Sequence, residues 1–124
     1  MQYMLMFFDT AENQTVPSDP VQAKAYMGAW GAYIGALHAS GVAVNGHGLQ
    51  SRATATTLRL RQGGRQVQDG PFADTKEQLG GYFVIDVPTL DEALEWAARC
   101  PVAITGAVEV RPVLIPPAGL RADK

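Results

Sequence analysis

Six consecutive apolar residues decide the fold of this chain: Tyr3-Met4-Leu5-Met6-Phe7-Phe8. Successive side chains of a β-strand point to opposite faces of the sheet, so a strand over this stretch has apolar groups on both faces. Residues 82–87, of sequence YFVIDV, are apolar almost without interruption and predict a central strand. Both strands therefore need a cover on each face, and helices supply one of the two covers.

Two helices are predicted from their end signals. Asp19 is placed as an N-cap before Pro20, and Gly41 is a helix-ending glycine, so the first helix lies between them. Thr89 is the predicted N-cap of a second helix, which ends at Pro101. The buried stripe predicted for this helix consists of four apolar residues: Leu90, Ala93, Leu94 and Ala97.

A hairpin is predicted between the first helix and the second apolar run. Residues 41–52 are glycine-rich and are predicted to be irregular. Thr56 to Arg61 alternates between polar and apolar residues, which is typical of a strand with one solvated face. Gly63-Gly64 fits a tight turn, so residues 66–68 are expected to return antiparallel to that strand.

The element order becomes strand, helix, hairpin, strand, helix, strand, with the last strand at residues 107–114. This βαββαβ order with an extra hairpin strand predicts an α+β fold, in which both helices cover one face of an antiparallel sheet. The other face would be a large apolar patch, and a second copy of the sheet is its simplest cover, so we expect a homodimer. We assign residues 1–115 to a single domain and residues 116–124 to a flexible C-terminal tail.

Composition limits the function classes. The chain has a net charge of −2 and 18% charged residues, which gives no support for a nucleic-acid or membrane partner. The apolar start lacks the basic leader of a signal peptide, so a cytoplasmic protein is expected. The single cysteine, Cys100, is expected to pack in the interior. The chain has two histidines and one cysteine, and none of them is spaced as a ligand pair, so we predict no metal site. It contains no phosphate-binding or nucleotide-binding motif, so we predict no cofactor.

The segment at residues 69–83, DGPFADTKEQLGGYF, resembles the signature of the DGPF branch of the YCII-related family. The resemblance extends to residues 49–50 and 53–57 upstream and through residues 91–97 and 108–112 downstream, so it covers most of the chain. It implies a ferredoxin-like sandwich, a dimer whose two sheets pack face to face as a dimeric α-β barrel, and a cleft near that interface.

The resemblance also implies two kinds of function. Some YCII-related proteins are enzymes, including a dehydrochlorinase of a chlorinated hydroxyquinol, and a His-Asp pair has been proposed as their acid-base machinery. Many others are encoded near, or fused to, extracytoplasmic-function sigma factors. Trp30 stands near the position of the histidine that the enzymatic branch has in its first helix. Because an indole cannot exchange protons near neutral pH, another residue would have to carry such chemistry here.

His47 and Asp69 are the candidate catalytic residues. His47 lies between two glycines, and histidine is the residue type that exchanges protons near neutral pH, which suits a general base; the alternative is a surface histidine in a flexible turn. Asp69 would orient His47 or take a proton itself. The alternative for Asp69 is turn formation, because Asp-Gly-Pro is good turn chemistry, and the two roles can coexist.

Trp30, Tyr33 and Glu77 are the candidate ligand-binding residues. Trp30 and Tyr33 lie on the apolar face of the first helix, where such residues are normally core but also line a cleft between a helix and a sheet. Glu77 either presents a carboxylate to that cleft or pairs with Lys76 on a solvated loop.

Two hypotheses for the function follow, and the sequence leaves open whether the protein is an enzyme. In the first, a small aromatic or hydroxylated molecule undergoes elimination, isomerisation or hydrolysis by proton transfer without a cofactor, with His47 as base and Asp69 as its partner. In the second, the protein is a non-catalytic ligand-binding or regulatory module associated with an extracytoplasmic-function sigma factor.

Overall fold

A computed structural model describes residues 1–120. Its strands follow in chain order: β1 Gln2–Thr10, β2 Ala43–Gly48, β3 Thr56–Arg61, β4 Gly64–Asp69, β5 Glu77–Asp86 and β6 Ala107–Pro112. Its α-helices are α1 Ala11–Gln14, α2 Pro20–Ser40, α3 Leu90–Ala98 and α4 Val102–Thr105. Two 3-10 turns, Arg52–Thr54 and Ala118–Leu120, complete the described elements.

Four of the strands form the main sheet, in the order β2-β5-β1-β6. Each neighbouring pair in this sheet is antiparallel. The hairpin of β3 and β4 forms a separate two-stranded sheet. The predicted α+β fold with an antiparallel sheet is therefore confirmed.

The central strand β1 divides its side chains between two faces. Tyr3, Leu5 and Phe7 are buried against the helices, and Leu5 is 0% exposed. Met4 and Met6 alternate with them and are half-buried on the face away from the helices, which we call the open face. The strand is thus apolar on both sides, as its sequence predicts.

The segment at residues 41–52 was predicted to be irregular, and this prediction was wrong. It contains β2, which pairs with β5 at the edge of the main sheet. The strand was not recognisable because its sequence, AVNGHG, has few of the apolar and β-branched residues that mark a strand. Gly46 has a packing reason: a Cβ at this position would overlap the ring of Phe83.

The helix ends follow the predicted capping. The Asp19 side chain accepts a hydrogen bond from the Gln22 amide at 3.0 Å, and Gly41 closes α2 with a φ of 79°. The Thr89 hydroxyl accepts one from the Glu92 amide at 3.2 Å at the start of α3. These contacts satisfy backbone groups that have no partner within the helix.

Half of the stripe predicted to be buried on α3 is exposed. Ala93 and Ala97 are in the core, but Leu90 and Leu94 are each 47% exposed. The helix packs on the sheet through its small residues, so the larger leucines lie at the margins of the contact. Strand lengths also differ from the prediction, because β5 begins at Glu77 and β6 ends at Pro112.

The core lies between the main sheet and the helices α2 and α3. Tyr33 and Leu37 of α2 are buried there, and so is Cys100, as predicted. Burial raises the pKa of the Cys100 thiol to about 11, so the thiol remains protonated at neutral pH.

Two further observations concern the C-terminal tail and the helices. Only residues 116–120 of the predicted tail are described, and the rest of that prediction lies outside the described residues. Within residues 1–120, no helix combines the length and the apolar character needed to cross a membrane.

Candidate functional site

A cleft lies between α2 and the main sheet, close to where β2 ends and β5 begins. It consists of two cavities of about 150 Å³ and 310 Å³. The cavities adjoin, because they share six lining residues: Phe7, Gln14, Tyr26, Trp30, Leu49 and Gly80. A third cavity, of about 240 Å³, is bordered by Asp9, Glu12 and Thr105. It adjoins the smaller of the two, because they share five lining residues: Asn13, Thr15, Tyr26, Trp30 and Val102.

The apolar wall of the cleft comes from α2 and β1. Tyr26 and Trp30 are four residues apart on α2, which places both on the same side of the helix. The Trp30 ring meets the Phe7 ring of β1 edge to face, with 5.5 Å between the ring centroids. Three aromatic rings therefore border one small space.

The floor of the cleft depends on an irregularity in β5. The register between β1 and β5 shifts after Phe7, so that one residue of β5 is unpaired next to Gly81. That residue is Gly80, and a Cβ there would lie 2.8 Å from the Gln14 side-chain nitrogen. The missing side chain makes room for Gln14, which donates a 2.6 Å hydrogen bond to the Gln78 carbonyl.

Arg52 supplies a positive charge to the smaller cavity. Its guanidinium donates hydrogen bonds to the carbonyls of Thr75, at 2.8 Å, and Lys76, at 2.5 Å. The Gln78 side chain holds the same segment by donating to the carbonyls of Ala73 and Thr75. The loop that follows the Asp-Gly-Pro turn is thereby fixed beside the cleft.

Asp9 is the buried carboxylate of this region, with an exposure of 1%. It accepts hydrogen bonds from the Thr105 hydroxyl at 2.6 Å, the Asn13 amide side chain at 3.0 Å and the Thr10 backbone amide at 2.7 Å. Burial alone would raise the pKa of the Asp9 carboxyl, but these hydrogen bonds outweigh it and hold the pKa below its usual value. Asp9 is therefore a charged group that joins β1 to α1 and α4.

His47 lies on β2 directly opposite Tyr82 of β5. Its Nδ1 is 2.9 Å from the Tyr82 hydroxyl, and the tautomer of the imidazole decides which of the two donates. Directly opposed residues share a face of the sheet, so both side chains lie on the open face together with Met6. His47 is exposed there and also borders the larger cavity.

Asp69 is not brought to His47. It is the last residue of β4, opposite Thr56 in the separate hairpin, and its side chain is exposed. Within residues 1–120, no hydrogen bond or ion pair joins Asp69 to His47. The turn that follows Asp69 is present, since Gly70 has a φ of 100° and its carbonyl accepts a hydrogen bond from the Thr57 hydroxyl at 2.7 Å.

The three predicted ligand-binding residues lie in three different places. Trp30 lines both cavities of the cleft. Tyr33 is buried in the core, where its hydroxyl donates to the Trp96 carbonyl at 3.0 Å and burial raises its pKa far above the usual value. Glu77 is exposed at the start of β5 and borders a separate shallow groove beside Phe8.

Four residues around the cleft were not singled out from the sequence: Asp9, Gln14, Arg52 and Tyr82. Tyr82 could have been found from the pairing of β2 with β5, had β2 been recognised. Asp9, Gln14 and Arg52 follow or lie outside the predicted elements, and no local pattern marks them. Among the residues that the structure describes, no group of three or more His, Cys, Asp or Glu side chains could hold a metal ion.

Comparison with known proteins gives two matches. The family model described as the YCII-related domain matches residues 1–115. An uncharacterised protein of Rhizobium meliloti (strain 1021) is 51% identical over 63 residues, which are 49% of this chain and 51% of that protein. The aligned part thus spans about half the length of this relative.

We expect Asp9→Asn to lower the free energy of unfolding at pH 7 by about 1–3 kcal/mol, because a buried acceptor network is broken. The folded-state pKa of Asp9 lies below the unfolded value of 3.8, so its carboxylate stabilises the fold above that pH. This contribution is lost as the pH falls through the folded pKa. Urea unfolding at pH 7 and pH 3 should therefore show that the free energies of unfolding of wild type and Asp9→Asn are closer to each other at pH 3 than at pH 7.

Glu95→Gln is the control for this comparison, since Glu95 is exposed in the middle of α3 and its replacement should cost less than about 0.5 kcal/mol at either pH. If the free energies of unfolding of wild type and Asp9→Asn differ by the same amount at both pH values, the charge of Asp9 does not stabilise the fold.

Proposed function

This chain belongs to the YCII-related family, and we propose that it binds a small, flat, largely apolar molecule in the cleft between α2 and the sheet. The observation that carries the proposal is the aromatic wall formed by Phe7, Tyr26 and Trp30 around the paired cavities. The larger cavity has mainly apolar walls, and polar side chains form about half of the lining of the smaller one. An apolar space with a set of polar groups beside it is typical of small-molecule sites.

The size of the cleft limits the ligand. An apolar protein cavity of about 150 Å³ accommodates benzene, and the smaller cavity has about this volume. The adjoining cavity of about 310 Å³ leaves room for substituents on the ring. A molecule with one ring fits this space.

We also propose that two copies of the chain pair through their open faces. The strand order β2-β5-β1-β6 is the order of a ferredoxin-like sandwich with an inserted hairpin, the architecture that the DGPF resemblance implies. The centre of the open face is apolar: Met4, Met6, Phe8, Tyr82 and Val84. Its margins are polar, with His47 on one edge strand and the ion pair of Glu109 and Arg111 on the other. An apolar centre with a polar rim is typical of a protein interface.

A second candidate function is acid-base catalysis by His47 and Tyr82. Their 2.9 Å contact supports it, because a proton can pass between an imidazole and a phenol that are hydrogen-bonded. In this second candidate function, Tyr82 orients the His47 imidazole, which is the role that the sequence analysis considered for Asp69. No cofactor takes part. If the ligand is bound without turnover, the protein is a ligand-binding or regulatory module, and a sigma factor is one possible partner.

We expect benzyl alcohol to bind with a saturable change in the NMR spectrum of residues around the cleft, whereas glycerol, which has no ring, should not bind. Leu49→Trp should weaken the affinity for benzyl alcohol by at least about tenfold, because the larger side chain fills the cavities that Leu49 lines. Leu94→Trp is the matched control, since Leu94 is 47% exposed and Leu49 is 50% exposed. Equal affinities of the two variants would remove the cleft as the binding site.

The pairing of open faces predicts a dimer in sedimentation equilibrium at micromolar concentration. Met6→Lys should shift the protein to the monomer. We expect the dissociation constant of the dimer to rise at least about 100-fold, because a charge would be buried in the interface. Met27→Lys, on the exposed side of α2, should leave the dimer intact. A wild-type protein that sediments as a monomer would contradict the proposal.

If His47 and Tyr82 catalyse proton transfer, any turnover found in a screen of halogenated and hydroxylated benzenes should fall about 100-fold or more in His47→Ala. Tyr82→Phe should also lower kcat and alter its pH dependence. His38→Ala is the control, because His38 is exposed at the end of α2. Activity that is indifferent to His47→Ala would exclude this second candidate and leave the binding proposal in place.

A further inference from the structure

We propose that the ligand of the cleft is an anion, an aromatic carboxylate with one ring whose acidic group is held by Arg52. This inference rests on the proposed binding function and adds the charge of the ligand to it. It starts from Arg52, which lines the smaller cavity. The aromatic rings of Phe7, Tyr26 and Trp30 border the same cavity.

The cavity has a positive charge and no negative one. Among the described residues that line it, Arg52 is the one with an ionised side chain. The other polar lining residues are neutral amides and hydroxyls: Asn13, Gln14, Thr15, Tyr26 and Ser51. A carboxylate placed here is attracted by Arg52, whereas a cation would be repelled by it. The Asp9 carboxylate borders the third cavity, which shares Asn13 with this one, and three hydrogen bonds already stabilise its charge.

The charge of Arg52 is not neutralised within residues 1–120. Its two hydrogen bonds go to the backbone carbonyls of Thr75 and Lys76, which have no net charge. No described carboxylate forms an ion pair with it. An arginine remains charged at any physiological pH, so a positive charge stands beside an apolar wall without a counter-charge.

The hydrogen-bonding capacity of Arg52 is also incompletely used. A guanidinium has five N–H donors, and the two hydrogen bonds to the loop leave three of them. The Nε atom is buried and has no hydrogen-bond partner among the described residues. Because the Nε atom has almost no accessible surface, a ligand in the cavity would be held by the N–H groups that remain on the two terminal nitrogens, and a carboxylate is the acceptor that matches a guanidinium best.

Two kinds of lining residue together define the ligand class. The aromatic rings favour a flat aromatic body, and Arg52 favours an acidic oxygen. With about 150 Å³ in this cavity, the acidic group and the ring have to be close to each other. A carboxylate attached directly to a benzene ring has this arrangement.

Benzoate and benzamide test the inference, because they have nearly the same shape and only benzoate is charged. We expect wild-type protein to bind benzoate at least about tenfold more tightly than benzamide at pH 7 and low salt, measured by NMR titration. Arg52→Gln should reduce the affinity for benzoate to that for benzamide and leave the affinity for benzamide nearly unchanged. Arg61→Gln removes the same charge from the exposed hairpin and should leave the preference for benzoate intact.

The possible outcomes are distinct. Equal binding of benzoate and benzamide by the wild-type protein would overturn the inference while leaving the binding proposal standing. Loss of both affinities in Arg52→Gln would overturn it too, since Arg52 would then act only by holding the loop. Failure of benzoate, benzamide and benzyl alcohol alike would remove the binding proposal and this inference with it. The wild-type comparison needs no variant, so the test does not depend on how well Arg52→Gln folds.

Discussion

The structure depends on a strand that is apolar on both of its faces. β1 lies between β5 and β6, so its backbone hydrogen bonds are satisfied on both sides and its side chains decide what packs above and below the sheet. Leu5 and its neighbours on one face require α2 and α3 as a cover. Met6 and its neighbours on the other face are half-buried in a single copy, and the proposed pairing of two copies would cover them. The helix-side core and the proposed pairing of two copies therefore have the same origin.

The cleft arises where the regular packing of this strand ends. After Phe7 the register with β5 shifts, Gly80 leaves a space, and Gln14 enters it to bind the Gln78 carbonyl. A Cβ at Gly80 would collide with the Gln14 side chain, which lines both cavities. The bulge and the missing side chain therefore set the position of Gln14 in the cleft.

Much of the fold could be predicted from the sequence, and much less of the site. The capping of α2 by Asp19 and the central position of β1 were predictable because capping signals are local and an unbroken apolar run is a strong signal. β2 was missed because an edge strand made of glycine, asparagine and histidine has no such pattern. Its pairing with β5 is what gives His47 the neighbour Tyr82, so this contact could not be predicted without β2. Arg52 contacts residues more than twenty positions away along the chain, and no local pattern reports such a contact.

The separate sheet of β3 and β4 has a consequence for how this family can change over time. Its ladder of hydrogen bonds is internal to the hairpin, and its ends are joined where the Gly70 amide donates to the Ala55 carbonyl. Residues can therefore be added or removed in pairs at the tip, around Gly63, without altering the register of the main sheet. The hairpin of β3 and β4 can lengthen, shorten or change its surface during evolution while the geometry of the cleft is inherited unchanged.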